Sequence, residues 1–260
     1  MMYQTISYQL ADGVAVITLN RPEVMNALSR ALRAEMLAAV LRAGSEARVL
    51  VITGAGRAFC SGQDLGDASG KSGAPLDLEK VLNEEYVPLL KAITDCPIPT
   101  LAAVQGAAAG AGANLALAAD VVIAAESASF IQAFTRIGLV PDAGGSYWLP
   151  RQIGLARAMG SVLFADKITA RQAAEWGMIY EAVADQGFDA HWQARALSLA
   201  HGPTLAYRGV KTALRASFGN DLDQQLALEA RLQGACGATM DFREGVAAFL
   251  EKRAAKFRGA

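Results

Sequence analysis

Histidine is nearly missing from this 260-residue chain, which has only His191 and His201, both in late, polar, helical surroundings. A solvated surface position is the default for such residues, so histidine-based catalysis is not expected. Cysteine is scarce too. Cys60, Cys96 and Cys236 are odd in number, far apart and without C-x-x-C spacing. That argues against a structural metal or a disulfide framework and fits a reducing, cytoplasmic setting. A charge imbalance is also lacking: 24 basic residues face 25 acidic ones, and neither sign is concentrated in a run. No nucleic-acid footprint or solvating tail is therefore expected. The most apolar stretch, 101–125, is interrupted by glycines and Asp120, so it reads as core and not as a membrane span. The first residues, MMYQTISYQLADG, lack a basic region followed by an apolar one, so no secretory leader is expected there.

What is present is apolar residue in quantity. At 53% hydrophobic, the chain can bury one large domain, or one domain with an appendage. The β-branched run VAVITLN (14–20) and the apolar runs RVLVITG (48–54), PTLAAVQG (99–106) and DVVIAAE (120–126) read as strands. The segment 27–44 places Leu28, Leu32, Met36, Ala39 and Val40 on one helical face and predicts a helix ending at Gly44. Residues 66–75, rich in Gly, Ser and Ala, predict a mobile loop, and a helix is expected over 77–95. After about residue 165 the strands largely give way to helical periodicity. The expectation is an α/β core over 1–200 followed by a helical C-terminal region over 201–260.

Two familiar chemistries are suggested and then fail on spacing. GAAAGAG (106–112) and YRGVK (207–211) imitate a nicotinamide dehydrogenase, in which glycines admit a pyrophosphate and Tyr with Lys protonates a carbonyl. The glycine turn should follow the first strand, yet about a hundred residues precede it. Ala194 occupies the position of the expected serine, and no acidic residue ends a following strand. A nucleophile site fares no better: there is no G-x-S-x-G, Ser61 has no histidine nearby, and Cys60 has no neighbouring cation to lower its pKa.

Two other segments carry more. In RAFCSGQDL (57–65), Gly62 would let the backbone N–H of Gln63 face outward; in AAGAGANLAL (108–117), a helix start leaves the N–H of Ala111 unpaired. Two such donors meeting on one oxygen would make an oxyanion hole, although each segment is equally a tight turn or a close-packed helix start. Asp142 is a lone acid between Pro141 and the small residues Ala143, Gly144 and Gly145. It reads either as ordinary turn chemistry or as a placed carboxylate.

In order and spacing, NRPEVMNAL, GAGRAFCSGQDL, AAVQGAAAGAGANLALAAD and IGLVPDAGGSYWLPR resemble the enoyl-CoA hydratase/isomerase (crotonase) superfamily, from about residue 5 to the C-terminus. The resemblance implies a spiral of ββα repeats, a helical C-terminal trimerisation region and an acyl-CoA thioester ligand. The assembly would be a homotrimer or a dimer of trimers, with no cofactor beyond the coenzyme A of the substrate and no metal. The N–H groups of Gln63 and Ala111 would hold the thioester oxygen. Ser61, Asp64 and Leu65 would line the CoA, and Phe249 and Lys252 would contact it, from the same or an adjacent subunit. Asn114, Phe134, Tyr147 and Trp148 would bound the acyl pocket.

The departures from the family pattern carry the most information. Hydratases of the family use two glutamates; the matching positions here are Asn114 and Phe134, neither able to act as a base. The remaining acid is Asp142, at a turn where isomerases of the family also carry one, placed to face the α and γ carbons of the thioester. The motifs are most similar to the branch that isomerises the ring 1,2-epoxide of phenylacetyl-CoA. The expected activity is isomerisation, of that epoxide to an oxepin or of an enoyl-CoA double bond. An enoyl-CoA hydratase and a non-catalytic acyl-CoA-binding member are the alternatives.

Overall fold

The computed structural model describes residues 3–68 and 77–260. The expected mobile loop over 66–75 falls largely outside these residues, and its beginning, Gly66, lies in a short helix. Strands β1 (Ile6–Ala11) and β2 (Val14–Leu19) form a hairpin that hydrophobic periodicity alone did not reveal for β1. Its two-residue turn is Asp12-Gly13, with φ of +50° and +77°. That is the mirror-image turn whose twist suits paired strands.

Helix α1 (Arg30–Glu46) follows, later at both ends than expected. The side chain of Ser29 caps it by accepting from the N–H of Leu32, while Leu28 pairs with Gln63 in a β-bridge. Gly44 lies inside the helix against Pro97 and does not terminate it. Its inward face buries Leu32, Met36, Ala39, Val40 and Ala43 against the sheet.

From there the chain repeats one manoeuvre. Three strand pairs follow: β3 (Val49–Gly54) with β4 (Ala58–Cys60), β5 (Thr100–Val104) with β6 (Ala107–Ala109), and β7 (Val121–Ala125) with β8 (Ser129–Ile131). The first strand of each pair joins a large sheet, ordered β1-β2-β3-β5-β7-β10. The second crosses to a small sheet, ordered β4-β6-β8-β9. The pairings β2–β3–β5–β7 and β4–β6–β8 are parallel, so the turns stack as a spiral. The short strands β9 (Ile168–Thr169) and β10 (Glu181–Val183) close the two sheets. The strands β4, β6 and β8 are three residues each, too short to show a period.

Helices fill the connections. The first turn carries α2 (Leu65–Ala68), α3 (Leu78–Val81), a π-helical segment at Leu82–Tyr86, and α4 (Val87–Thr94). The second carries α5 (Ala111–Leu117), and the third α6 (Gly145–Leu163), which breaks at Gly154. After α7 (Ala170–Glu175) and α8 (Phe188–Ala200), the C-terminal region carries three helices, α9 (Thr204–Ala216), α10 (Leu222–Gly237) and α11 (Met240–Leu250), and ends in an irregular tail over 251–260. Among the described residues no helix is long and apolar enough to cross a membrane.

One charge cluster fastens this region to the spiral. Asp120, at the foot of β7, is paired with Lys211 at 2.6 Å and Arg215 at 2.7 Å, both on α9. Its carboxylate also accepts from the N–H and hydroxyl of Thr100, at the foot of β5. The ammonium of Lys211 donates to the carbonyls of Cys96 and Ile98 as well. This lysine of the dehydrogenase-like YRGVK is thus a structural pin. Removing Lys211 would leave Asp120 with the more exposed Arg215 as its counter-charge and take a donor from the Cys96 and Ile98 carbonyls, and breaking a largely buried ion pair is costly. Lys211→Ala is therefore expected to destabilise the fold by about 3 kcal/mol in urea denaturation; a change within experimental error would show that α9 is held by apolar contacts instead.

Candidate active site

Two crossings from the large sheet to the small one lie back to back, and the first site residues come from them. After β4 the chain turns at Gly62, with φ +97°. A Cβ there would sit 2.9 Å from the Ala109 carbonyl oxygen and 3.6 Å from the Ala111 nitrogen. On the other side, a Cβ on Gly112 would sit 2.5 Å from the Cys60 carbonyl oxygen. Glycine is needed at both positions because backbone meets backbone. The bridge Leu28–Gln63 uses the carbonyl of Gly62 and the N–H of Asp64, leaving the Gln63 N–H without a partner among the described residues. The Ala111 N–H, in the first turn of α5, is likewise unpaired. Both residues line one cavity of about 350 Å³.

Asp142 reaches the same cavity from a third direction. Its own carbonyl is held twice, by the Asn114 side-chain N–H at 2.8 Å and by the Gly145 N–H at 2.8 Å. Asn114 is fixed in turn by Gln132, which donates to its oxygen at 2.9 Å. The small residues after Asp142 have steric reasons. Ala143 and Gly144 take left-handed φ of +48° and +83°. A Cβ on Gly145 would overlap the Asn114 amide, and one on Gly144 would sit 2.5 Å from the Trp148 indole nitrogen. Carboxylate oxygen Oδ1 of Asp142 is buried with no hydrogen-bond partner among the described residues. Burial therefore pushes its pKa up to about 6, against a smaller opposing effect of its own backbone N–H. Desolvation penalises the charged form, and no neighbouring cation offsets it.

The rest of the cavity is mainly apolar, with Leu65, Leu78, Val81, Leu82, Phe134 and Leu139 in its wall. Ser61 and Arg136 border it, the latter donating to the Ala165 carbonyl at 2.6 Å. Asp142 is the one carboxylate in the lining among the described residues. Tyr86 also lines the cavity; its hydroxyl donates to the side-chain oxygen of Gln63, which also accepts from Arg33. Sequence reasoning missed both. The available signal was an arginine next to Leu32 on an otherwise apolar helical face. Tyr86 gave none, because the π-helical segment that places it departs from a regular period.

Several expected site residues lie elsewhere. Asn114 is fully buried behind the cavity and pins the Asp142 turn instead of forming a wall. Tyr147 and Trp148 are not in the lining, because α6 begins at Gly145 and carries them away. They pack edge to face at 4.7 Å, and Tyr147, 45% exposed, lies beneath Arg151. Phe134, Ser61 and Leu65 are in the cavity lining. The Asp64 side chain pairs with Arg21 at 2.7 Å. Phe249, 82% exposed, belongs to a separate apolar cavity of about 430 Å³ among α9, α10 and α11, and Lys252 is exposed beyond α11. Within one chain neither reaches the Asp142 cavity. Cys60 is buried with its thiol pushed up to about 12, consistent with a packed side chain.

The family model described as Enoyl-CoA hydratase/isomerase matches residues 9–260. A relative from Rhodobacter capsulatus, named probable enoyl-CoA hydratase, is 64% identical over all of both chains. The 1,2-epoxyphenylacetyl-CoA isomerase of Escherichia coli K12 is 42% identical over 99% of this chain and 100% of its own. A crystal structure from Mycobacterium abscessus, provisionally described as an enoyl-CoA hydratase/isomerase, superposes with a TM-score of 0.93 at 39% identity, covering 98% of this chain and 100% of that one.

The burial of Asp142 has a consequence for stability. A carboxyl whose pKa rises from 3.8 to about 6 on folding binds its proton more tightly in the folded state. Its contribution is thus fully present below about pH 4 and is lost as pH rises through about 6. Asp142→Asn, which cannot ionise, is expected to raise the melting temperature relative to wild type at pH 8. The difference should shrink toward pH 5; an equal difference at both values would place the carboxyl in a solvated, unshifted state.

Proposed function

Because this chain belongs to the enoyl-CoA hydratase/isomerase family, we propose that it is an acyl-CoA isomerase with Asp142 as its single acid/base. The observation that carries the reading is that Asp142, the one carboxylate in the lining among the described residues, shares a mainly apolar cavity with two backbone N–H groups that no described residue pairs. For an enoyl-CoA double-bond shift, Asp142 takes a proton from the α carbon of a 3-enoyl thioester. The electron pair delocalises onto the thioester oxygen, where the N–H groups of Gln63 and Ala111 stabilise it. The same carboxyl then returns the proton to the γ carbon, leaving the 2-enoyl thioester. One proton moves and no electrons are gained or lost, so the step calls on no cofactor beyond the coenzyme A of the substrate. With a pKa of about 6, Asp142 is mostly ionised at neutral pH, yet its conjugate acid can still return the proton.

The same geometry suits isomerisation of the ring 1,2-epoxide of phenylacetyl-CoA to the oxepin, the substrate class supported by the Escherichia coli relative. Hydration is the second reading, favoured by the name of the Rhodobacter relative. It requires one group to activate water and a proton to reach the neighbouring carbon; among the described residues the lining supplies one carboxylate for both tasks. Phe249 and Lys252 would meet the CoA of a neighbouring copy. That reading is supported by α10, which buries no residue in the single chain, and by exposed Leu226, Val246, Phe249 and Leu250. The assembly proposed is a trimer or a dimer of trimers.

Three measurements test this. Incubation with enoyl-CoAs and with the phenylacetyl-CoA epoxide, read by mass, should give products of unchanged mass; a gain of one water establishes the hydratase. Asp142→Asn should lower turnover on the order of 10²–10⁴-fold while acyl-CoA binding survives, and retention of more than about half the activity would return Asp142 to a turn role. Sedimentation at micromolar concentration should show a multiple of three chains, and a stable monomer would leave Phe249 and Lys252 without a role toward CoA.

A further inference from the structure

The Gln63 peptide is held by one isolated bridge, with the Leu28 N–H on the Gly62 carbonyl at 2.8 Å and the Asp64 N–H on the Leu28 carbonyl at 3.3 Å. The second of these bonds is longer than the usual range. The side chain adds a third hold. Its oxygen accepts from the Tyr86 hydroxyl and from Nη1 of Arg33 at 3.1 Å. The same Nη1 also donates to the Leu28 carbonyl, so one guanidinium nitrogen joins both members of the bridge. The other edge of the guanidinium is occupied by Glu85, whose Oε2 accepts from Nε at 3.0 Å and Nη2 at 2.5 Å. The Tyr86 ring lies 4.8 Å from the centre of the guanidinium. The Arg33 side chain is only 3% exposed. A buried ion pair of this kind is weak evidence for added stability, since apolar residues of similar volume often serve a core as well. It fixes geometry, however, because a planar guanidinium held at Nε, Nη1 and Nη2 together can rotate little. Glu85 and Tyr86 are consecutive in the π-helical segment, a feature found often at functional sites.

We infer that Arg33 and Tyr86 are positioning residues: by clamping the Gln63 side-chain oxygen they keep the Gln63 N–H fixed toward the cavity, where it polarises a thioester carbonyl. The inference rests on the oxyanion role proposed above. Neither residue touches the reacting atoms in this scheme. Their effect passes through Gln63.

The test uses the whole protein with phenylacetyl-CoA carrying ¹³C at the thioester carbonyl, a ligand with no double bond to shift. Its bound carbonyl stretch is read by isotope-edited difference infrared spectroscopy. In wild type the stretch should fall below that of free ligand. Tyr86→Phe keeps the ring and loses the donor; Arg33→Lys keeps the charge opposite Glu85 and loses the fork. Both variants should lose about half or more of that lowering, with affinity changed less than about threefold and kcat for an isomerised substrate reduced about tenfold at nearly constant KM. Full lowering in both variants, or a loss that accompanies unfolding in both, overturns the inference. No lowering in wild type removes the hole itself and the inference with it. Isomerase turnover of wild type, measured separately, judges the proposed function.

Discussion

The site depends on a backbone-to-backbone contact between two neighbouring turns of the spiral. Where β4 ends and α5 begins, Gly62 faces Ala109 and Ala111, and Gly112 faces Cys60, at separations that no side chain could occupy. Because the contact is made of main chain, it fixes main-chain groups. The N–H groups of Gln63 and Ala111 are left unpaired among the described residues at the edge of the small sheet, where the crossings open into the cavity. An unpaired N–H near the protein interior is unfavourable unless something accepts from it, which is why preorganised donors of this kind suit developing negative charge.

The carboxylate is controlled by equally indirect means. Asp142 is placed by the grip of Asn114 on its carbonyl, and Asn114 stands on α5, three residues after Ala111. One short helix therefore carries a candidate donor and the pin for the candidate base, so their separation is set by a rigid element and not by loop flexibility. Burial without a partner then moves the carboxyl toward neutrality. Position and proton affinity come from different parts of the structure, the first from hydrogen bonds to the backbone and the second from the absence of any to Oδ1.

The C-terminal helices have a different relation to the core. The Asp120–Lys211–Arg215 cluster fastens α9 to the feet of two large-sheet strands. Beyond it, Arg48 reaches the carbonyl of Phe257, and Asp241 accepts from the N–H groups of Arg258 and Gly259. The region is thus tied by polar bonds to the spiral and within itself, while α10 leaves Leu222 and Leu226 exposed and none of its residues fully buried. Apolar surface of that extent is what a neighbouring copy would cover.

Much was legible in the chain itself. Apolar runs of five or six residues marked β2, β3, β5 and β7, because long buried strands need continuous apolar sequence. Glycines at 62 and 112, with the acid at 142 among small residues, marked the places where backbone or carboxylate must come close to something else. The three-residue strands of the small sheet were not legible, since a period cannot be read from three positions. Nor were Arg33 and Tyr86, whose roles exist only because α1 and a π-helical segment, about fifty residues apart, converge on Gln63. Tyr147 and Trp148 stand close to Asp142 in sequence, yet the start of α6 carries them out of the cavity lining. By itself, then, the sequence determined which residue types are available: one acid, two glycine-made turns, no histidine near them. The tertiary structure alone decided which of these share a cavity and how dry it is, because direction and desolvation are set by packing between segments far apart in the chain.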